Sequence, residues 1–317
     1  MSKLDVCEMK ILFCTYTGVD YGLDNLYDGL CRVLGYENIY EYPTKVTLHS
    51  GPIRRFISAC TPAFFNYPVI ADDETKIKML KNNEFDMICV STRAITNELL
   101  IKKSKTIPTF IIDQDDTPGI NAELFKQFNA RLYFKREYLT AKKYEKWVTP
   151  LNFSYSEKYA PNINVERQNF LFYVGRGYQG RWKFIEALQK TVTLSSVINM
   201  TGGSIRVYTQ PEYSEQLLHS KIGLNLRGYG YDSGRYYETP AHGALLFSLK
   251  FPLVVEHPFT EGDNAVFFEN IDEMVHKLVY LTKHPKLVRD LSIKGYEHFL
   301  KYHTTQARAQ QMLEKIL

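Results

Sequence analysis

Short apolar runs recur along this chain, each ending in a polar or glycine-bearing turn and followed by a stretch whose apolar residues repeat at helical spacing. Such alternation constrains a chain to parallel sheets with helices on both faces. Lys10 to Tyr16 reads as a buried strand, followed by the polar turn Gly18 to Asp24 and an amphipathic helix from Asn25 to Leu34. Further strands are predicted at Ile39 to Tyr42, Met87 to Ser91, Thr109 to Asp113 and Arg131 to Phe134. Helices are predicted at Glu74 to Asn82, Glu98 to Lys103, Asn121 to Phe128 and Tyr138 to Lys146. Pro150, Pro161 and the polar residues between them read as a linker. A second series then begins, with strands at Asn169 to Val174, Ile205 to Tyr208, Ile222 to Leu226, Leu245 to Phe247 and Pro252 to Val255. Its helices are Arg181 to Lys190, Ile271 to Thr282, Pro285 to Tyr302 and Thr305 to Leu317.

A chain of 317 residues exceeds what one core usually supports, so two domains of about 150 residues each are expected. The pattern predicts an α/β protein with two Rossmann-like domains facing across a cleft. Residues 1–155 form the first, 156–302 the second, and 303–317 a terminal helix that crosses back to the first. Hydrophobic residues at 44% and charged residues at 23% are those of a soluble globular protein. No apolar run reaches about 18 residues, so no transmembrane segment is expected. The polar start, Met1 to Lys10, does not read as a signal peptide. Five cysteines, odd in number and without CxxC spacing, read as reduced thiols and point to a cytoplasmic protein.

Other chemistries lack their signals. The eight histidines form no HxxxH pair and no Cys/His cluster, and neither a GxSxG elbow nor a P-loop is present. A net charge of +4 is too small to mark a nucleic-acid binder. The basic stretch 101–146, with Lys102, Lys103, Lys105, Lys135, Arg136, Lys142, Lys143 and Lys146, reads first as a solvated helix face.

Ligands of open α/β sheets bind beyond the carboxyl ends of the strands, so the loops there carry the candidate chemistry. The richest is Gly228 to Ser248, in which an apolar strand runs into a glycine-bearing loop and then a short helical stretch from Arg235 and Glu238 to Gly243. Glycines allow close backbone approach to an anion, and a helix start favours one. Arg235 adds a planar, permanently charged fork. An ordinary αβ unit with a surface Arg–Glu pair at i, i+3 would show the same residues. Gly175, Arg176 and Arg181, after the strand Asn169 to Val174, form a second grip without GxGxxG spacing. In the first half, Asp20 lies in a turn open to an acceptor, while Asp24 fits a helix N-cap. Asp113, Asp115 and Asp116 place three carboxylates at one strand end, where mutual repulsion raises a pKa toward a general base. An Asp-rich turn closed by Pro118-Gly119 is the plainer reading.

The second half resembles the spore-maturation-protein-like branch of the group 1 glycosyltransferases, which have the GT-B fold. The resemblance runs over most of Phe170 to Leu317. It is carried by Phe170-Leu-Phe-Tyr-Val-Gly-Arg-Gly, Ser220-Lys-Ile-Gly-Leu-Asn-Leu, Arg235-Tyr-Tyr-Glu-Thr-Pro-Ala-His-Gly and the tail from His303. It implies a glycosyltransferase that takes a nucleotide-sugar donor, a UDP- or GDP-sugar, as co-substrate, with no metal and no separate cofactor. On that reading the donor lies in the second domain against Gly175, Arg176, Arg181, Gly230 and Arg235. Glu238 holds the ribose hydroxyls, and Glu261 and Asp263 lie in a loop near the donor sugar; apart from the resemblance, the tyrosines read mostly as strand and core formers, with Tyr229, Tyr231, Tyr236 and Tyr237 able to stack on a base or sugar. Asp115 or Asp20 serves as the base if the reaction inverts. The sequence departs from the wider group at Gly230, where a Glu commonly stands eight positions ahead of the ribose ligand, so the resemblance does not imply a stereochemical course.

The acceptor stays open between a glycan, a lipid-linked sugar and a modified nucleic acid. Three rivals stand beside this reading. One is a sugar-nucleotide epimerase, and another a non-catalytic module of the same fold. The third is a phage-type enzyme that glycosylates nucleic-acid bases, with Arg54-Arg55 and the basic stretch on phosphates. Asp113-Gln-Asp115 also has the Asp-x-Asp spacing of the metal motif in single-domain GT-A enzymes, a weaker fit because the donor residues lie far downstream.

Overall fold

A computed structural model describes residues 8–49, 65–177, 180–191, 195–201 and 208–317. The strands are β1 (Ile11–Cys14), β2 (Ile39–Tyr42), β3 (Met87–Ser91), β4 (Thr109–Asp113), β5 (Leu132–Lys135), β6 (Val148–Pro150), β7 (Asn169–Arg176), β8 (Ser196–Thr201), β9 (Ser220–Asn225), β10 (Leu245–Leu249) and β11 (Val266–Phe268). The helices are α1 (Tyr21–Leu34), α2 (Val46–His49), α3 (Asp73–Lys81), α4 (Glu98–Lys103), α5 (Ala122–Gln127), α6 (Arg181–Thr191), α7 (Gln210–Leu218), α8 (Arg235–Ala241), α9 (Ile271–Thr282), α10 (Pro285–Tyr302) and α11 (Thr305–Ile316).

Two parallel sheets result, in the orders β2-β1-β3-β4-β5-β6 and β11-β10-β9-β7-β8. In the first, Leu12 pairs with Ile88, which pairs with Thr109 on its other side. Every residue of β3 and β4 is buried, which explains their apolar centres, Met87 to Val90 and Phe110 to Ile112: parallel strands covered on both faces have no polar side. Leu23, Leu26, Tyr27 and Leu30 of α1 pack under the first sheet. Leu278 and Leu281 of α9 and Val288 and Leu291 of α10 pack with Ile222, Leu224 and Leu245 under the second. The terminal helix α11 lies on α1, with Ala309, Met312 and Leu313 in the first sheet's core. Gly29 permits this crossing, since a β-carbon there would sit 2.0 Å from the Thr305 carbonyl oxygen. Thr305 Oγ1 donates to the buried carboxylate of Asp28 at 2.6 Å.

Some predicted elements differ from those observed. Tyr138 to Lys146 is not a helix; its backbone makes an antiparallel bridge from Leu139 to Leu253, and Tyr138 stacks on Tyr144 with ring centroids 4.2 Å apart. Its apolar spacing is met by packing a folded loop against the first core. Pro252 to Val255 is likewise no strand beyond that bridge. The expected linker begins on the last residue of β6, at the sheet edge, where the missing N–H of Pro150 breaks no ladder. α7 escaped the periodic reading, although it starts with a full capping box, Thr209 with Glu212, and Pro211 in its first turn. β8 and β11 were too short or too polar to register, and most of the strand predicted at Ile205 to Tyr208 lies outside the described residues. So do Cys7, Cys60, Arg54 and Arg55, while Cys14, Cys31 and Cys89 are buried free thiols. Among the described residues no helix is long and apolar enough to cross a membrane.

Candidate active site

The carboxyl ends of the two sheets face each other across a cleft of about 290 Å³. One wall comes from the ends of β7 and β9 and the start of α8: Gly175, Arg176, Gly228, Gly230, Ser233, Gly234 and Arg235. The opposite wall comes from the turns after β1, β3, β4 and β5: Asp20, Arg93, Asp116 and Arg136. The crevice lies where ligands of open parallel sheets bind, and two sheets contribute to it at once.

On the first wall, Arg235 is buried, and its guanidinium lies 5.1 Å from the centroid of the Tyr173 ring. Gly175 makes that position available, because a β-carbon there would stand 2.8 Å from Arg235 Nη2. Arg176, exposed at the end of β7, also lines the cleft. Arg181 lines it too, but its fork is directed at backbone carbonyls: Nε to Arg227 at 2.6 Å, Nη2 to Leu226 at 3.0 Å and Nη1 to Arg176 at 3.1 Å. Here it clamps the ends of β7 and β9 together, and its guanidinium is engaged by backbone carbonyls where the sequence reading has it grip a diphosphate.

Glu238 lies one turn behind Arg235, 1% exposed and off the cleft wall. Its Oε2 accepts from the Tyr213 hydroxyl at 3.0 Å, and its Oε1 has no hydrogen-bond partner among the described residues. Burial raises its pKa to about 8, against a smaller lowering by the Arg235 charge. A carboxyl held toward its neutral form, with one oxygen already engaged, differs from the ionised carboxylate with two free acceptor oxygens that the ribose reading of Glu238 assumes.

Three expected donor contacts sit elsewhere. Tyr236 is 2% exposed, wedged edge-on against Tyr237, Phe251 and Phe259 with centroids 5.0 to 5.2 Å away; it is a core residue, placed there because α8 turns that face inward. Glu261 accepts from the Phe267 N–H and from Lys277 Nζ at 2.8 Å, and Asp263 pairs with Lys294 at 2.8 Å. Both staple their loop to α9 and α10 and neither lines the cleft. Of the other tyrosines, Tyr229 stands on the cleft wall at 60% exposure.

On the second wall the carboxylates separate. Asp20, not Asp24, caps α1, with Oδ1 accepting from the Leu23 N–H at 3.0 Å. Asp24 is buried in the helix against Lys45. Asp20 Oδ2 lies 3.8 Å from Arg93 Nη1, and burial raises the pKa of this carboxyl. The expected repulsion among Asp113, Asp115 and Asp116 is relieved, since each has its own cation. Asp113 pairs with Lys135 at 2.8 Å, Asp115 with Arg93 at 2.6 Å, and Asp116 with Arg136. Asp115 faces a different cavity, of about 550 Å³, shared with Asp113 and Tyr133, whereas Asp20 and Asp116 line the cleft. Among the described residues no group of three or more His, Cys, Asp or Glu side chains is placed to hold a metal.

Arg93, Arg136 and Glu137 were not singled out for this site by sequence. Lys135 and Arg136, read within a solvated basic face, are 0% and 2% exposed. The rule that loops after strands carry chemistry would have found all three, because Arg93 follows β3 and Arg136 and Glu137 follow β5.

Comparison with known proteins agrees with this architecture. Residues 181–314 match the family model described as glycosyl transferase-like. No curated protein matches the chain in sequence. Among solved structures, a glycosyltransferase from Rickettsia africae ESF-5 superposes with a TM-score of 0.66 at 11% identity, covering 97% of each chain. Anabaena Alr3699/HepE in complex with UDP-glucose gives 0.59 at 11% identity over 97% of this chain and 99% of that one. An α-glucosyltransferase in complex with UDP-glucose and DNA containing an abasic site gives 0.56 at 14% identity, again over 97% and 99%. The chain therefore has the two-domain GT-B fold of these glycosyltransferases, and the stretch 181–314 of its second half is similar to the glycosyl transferase-like family model.

Proposed function

We propose that this protein transfers a sugar from a nucleoside diphosphate sugar to an acceptor hydroxyl. The observation that carries the proposal is the asymmetry of the cleft. One wall combines glycines, Arg176, Arg235 and the start of α8, a setting for a diphosphate; the other presents the buried carboxylate of Asp20. The glycosyl transferase-like match takes in the Gly228 to Arg235 part of the wall that would hold the donor, and the Anabaena and α-glucosyltransferase structures hold UDP-glucose, which favours a uridine nucleotide here.

Arg176 and Arg235 stabilise the negative charge that grows on the departing diphosphate, without a metal ion. Glu238 takes a ribose hydroxyl on its unpartnered Oε1, behind Arg235. Asp20 accepts the proton of the attacking hydroxyl if the reaction inverts. The geometry favours it over Asp115, whose oxygens are held by Arg93 Nε and Nη2 and by Thr92 Oγ1 and which faces the other cavity. Calorimetric titration with UDP, GDP and their glucose conjugates tests the donor site. Absence of binding by every nucleotide would end the proposal. Conversion of the donor alone into an epimer, with no sugar transferred, would replace it with an epimerase.

A further inference from the structure

Glu137, from the turn after β5, reaches across the cleft to the loop after β9. Its buried carboxylate accepts from the backbone N–H groups of Tyr231 and Asp232, each at 2.9 Å. A β-carbon on Gly230 would lie 2.4 Å from Glu137 Oε1, so the glycine there is the space into which the carboxylate fits. Neighbouring bonds run the same way between the halves. Asp232 accepts from the Phe153 N–H at 2.7 Å, and Arg136 Nη1 donates to the Asp232 carbonyl at 3.0 Å while its guanidinium lies 4.2 Å over the Phe153 ring. Within its own half, this loop is anchored by Ser233 Oγ to Asn225 at 2.6 Å and by the Tyr237 hydroxyl to Asp232 at 3.0 Å.

We propose that Glu137 is a positioning residue that couples closure of the two halves to assembly of the donor wall. The loop runs from Gly228 to Gly234 and leads into Arg235 at the start of α8, with Ser233, Gly234 and Arg235 on the cleft surface. Two charge-assisted bonds to adjacent N–H groups fix its backbone. Those bonds exist only while the sheets face each other, because the carboxylate and the N–H groups belong to different halves. Opening frees the loop; closing presets Arg235 and the start of α8 for the diphosphate, which lowers the ordering cost of donor binding. The inference rests on the donor reading above only in this last step.

The test compares Glu137→Ala, Glu137→Gln, Gly230→Ala and the double variant Glu137→Ala/Gly230→Ala, each checked for cooperative unfolding. Amide hydrogen exchange of residues 228–234 is measured without ligand, and UDP binding by calorimetry. Losing bonds to a charged group should speed exchange at Tyr231 and Asp232 about tenfold or more and weaken UDP by a similar factor in Glu137→Ala and Gly230→Ala. Glu137→Gln keeps one acceptor oxygen and should recover part of the protection. The double variant should be no worse than Glu137→Ala, since the added β-carbon then has no carboxylate to displace. Unchanged exchange at Tyr231 and Asp232, strictly additive effects, or tighter UDP binding by Glu137→Ala would overturn the proposal. Faster exchange in both single variants of a protein that binds no nucleotide would uphold the hold of Glu137 on the loop across the two halves while removing the donor reading.

Discussion

Gly175 and Arg235 are fitted to each other: the guanidinium occupies space that any side chain at position 175 would enter, with Nη2 only 2.8 Å from where a β-carbon would stand. A strand end and a helix start, about 60 residues apart in the chain, thus form one corner of the cleft.

That relationship gives the first prediction. Arg235→Ala should weaken UDP binding by about 1.5 to 3 kcal/mol, the range for hydrogen bonds to a charged group. Gly175→Ala should also weaken it, by pushing the guanidinium aside, while thermal stability changes little because the displaced group is a side-chain tip. Calorimetry that finds UDP affinity equal in wild type and both variants would remove this corner from the donor site.

Glu238 makes a prediction about pH. Its pKa is raised from 4.5 to about 8 by burial, so the folded state prefers the protonated carboxyl. The resulting stabilisation is full below pH 4.5 and disappears as pH rises through 8. Glu238→Gln should remove this slope, so that in urea unfolding the variant loses less stability than wild type between pH 5 and 8. If Glu238 also holds the ribose, the same variant should weaken UDP more than pyrophosphate; a uniform loss would leave it a structural role only.

Asp20 and Asp115 are separated by substitution. Asp20→Asn preserves an N-cap acceptor for α1, since Asn caps about as well as Asp, so folding should be retained while transfer is lost and UDP binding stays near wild type. Asp115→Asn should instead release Arg93, with a smaller effect on turnover. Activity should persist in EDTA, because Asp113 and Asp115 are paired with Lys135 and Arg93. Strict dependence on Mn²⁺ or Mg²⁺, with donor affinity lost in Asp115→Asn, would move the donor to the other wall.

His242 and His303 predict acid sensitivity. His242 is buried and neutral, donating from Nδ1 to the Glu238 carbonyl at 2.8 Å and accepting at Nε2 from Ser214 at 2.7 Å. Burial lowers its pKa from 6.5 to about 4, and His303 is lowered well below 6.5 by burial and the Arg308 charge. Both contribute stability that is present above pH 6.5 and lost as pH falls. For His242 the loss by pH 4 is about 3 kcal/mol, from about 1.4 kcal/mol per pKa unit. His242→Asn should flatten the wild-type decline between pH 6.5 and 4; an equal decline in the variant would show that protonation of this ring is not its cause.

The sequence alone determined the fold class, because parallel strands buried on both faces must be continuously apolar and the helices between them must be amphipathic. β3, β4 and α4 lie at the residues predicted from that pattern, and α9 and α10 likewise. It also marked Gly175, Arg176, Gly230, Arg235 and Asp20, all of which reach the cleft, because glycines and charges after strand ends break the apolar rule visibly. Only the tertiary structure decided how these residues are used. Tyr236 went to the core, Arg181 to carbonyls, and Glu261 to Lys277, since helix rotation and loop packing are set by neighbours distant in sequence. Gly230 is the sharpest case. In the sequence it is a missing carboxylate; in the fold Glu137, nearly a hundred residues earlier, fills the space, a complementarity between two segments that no local pattern encodes.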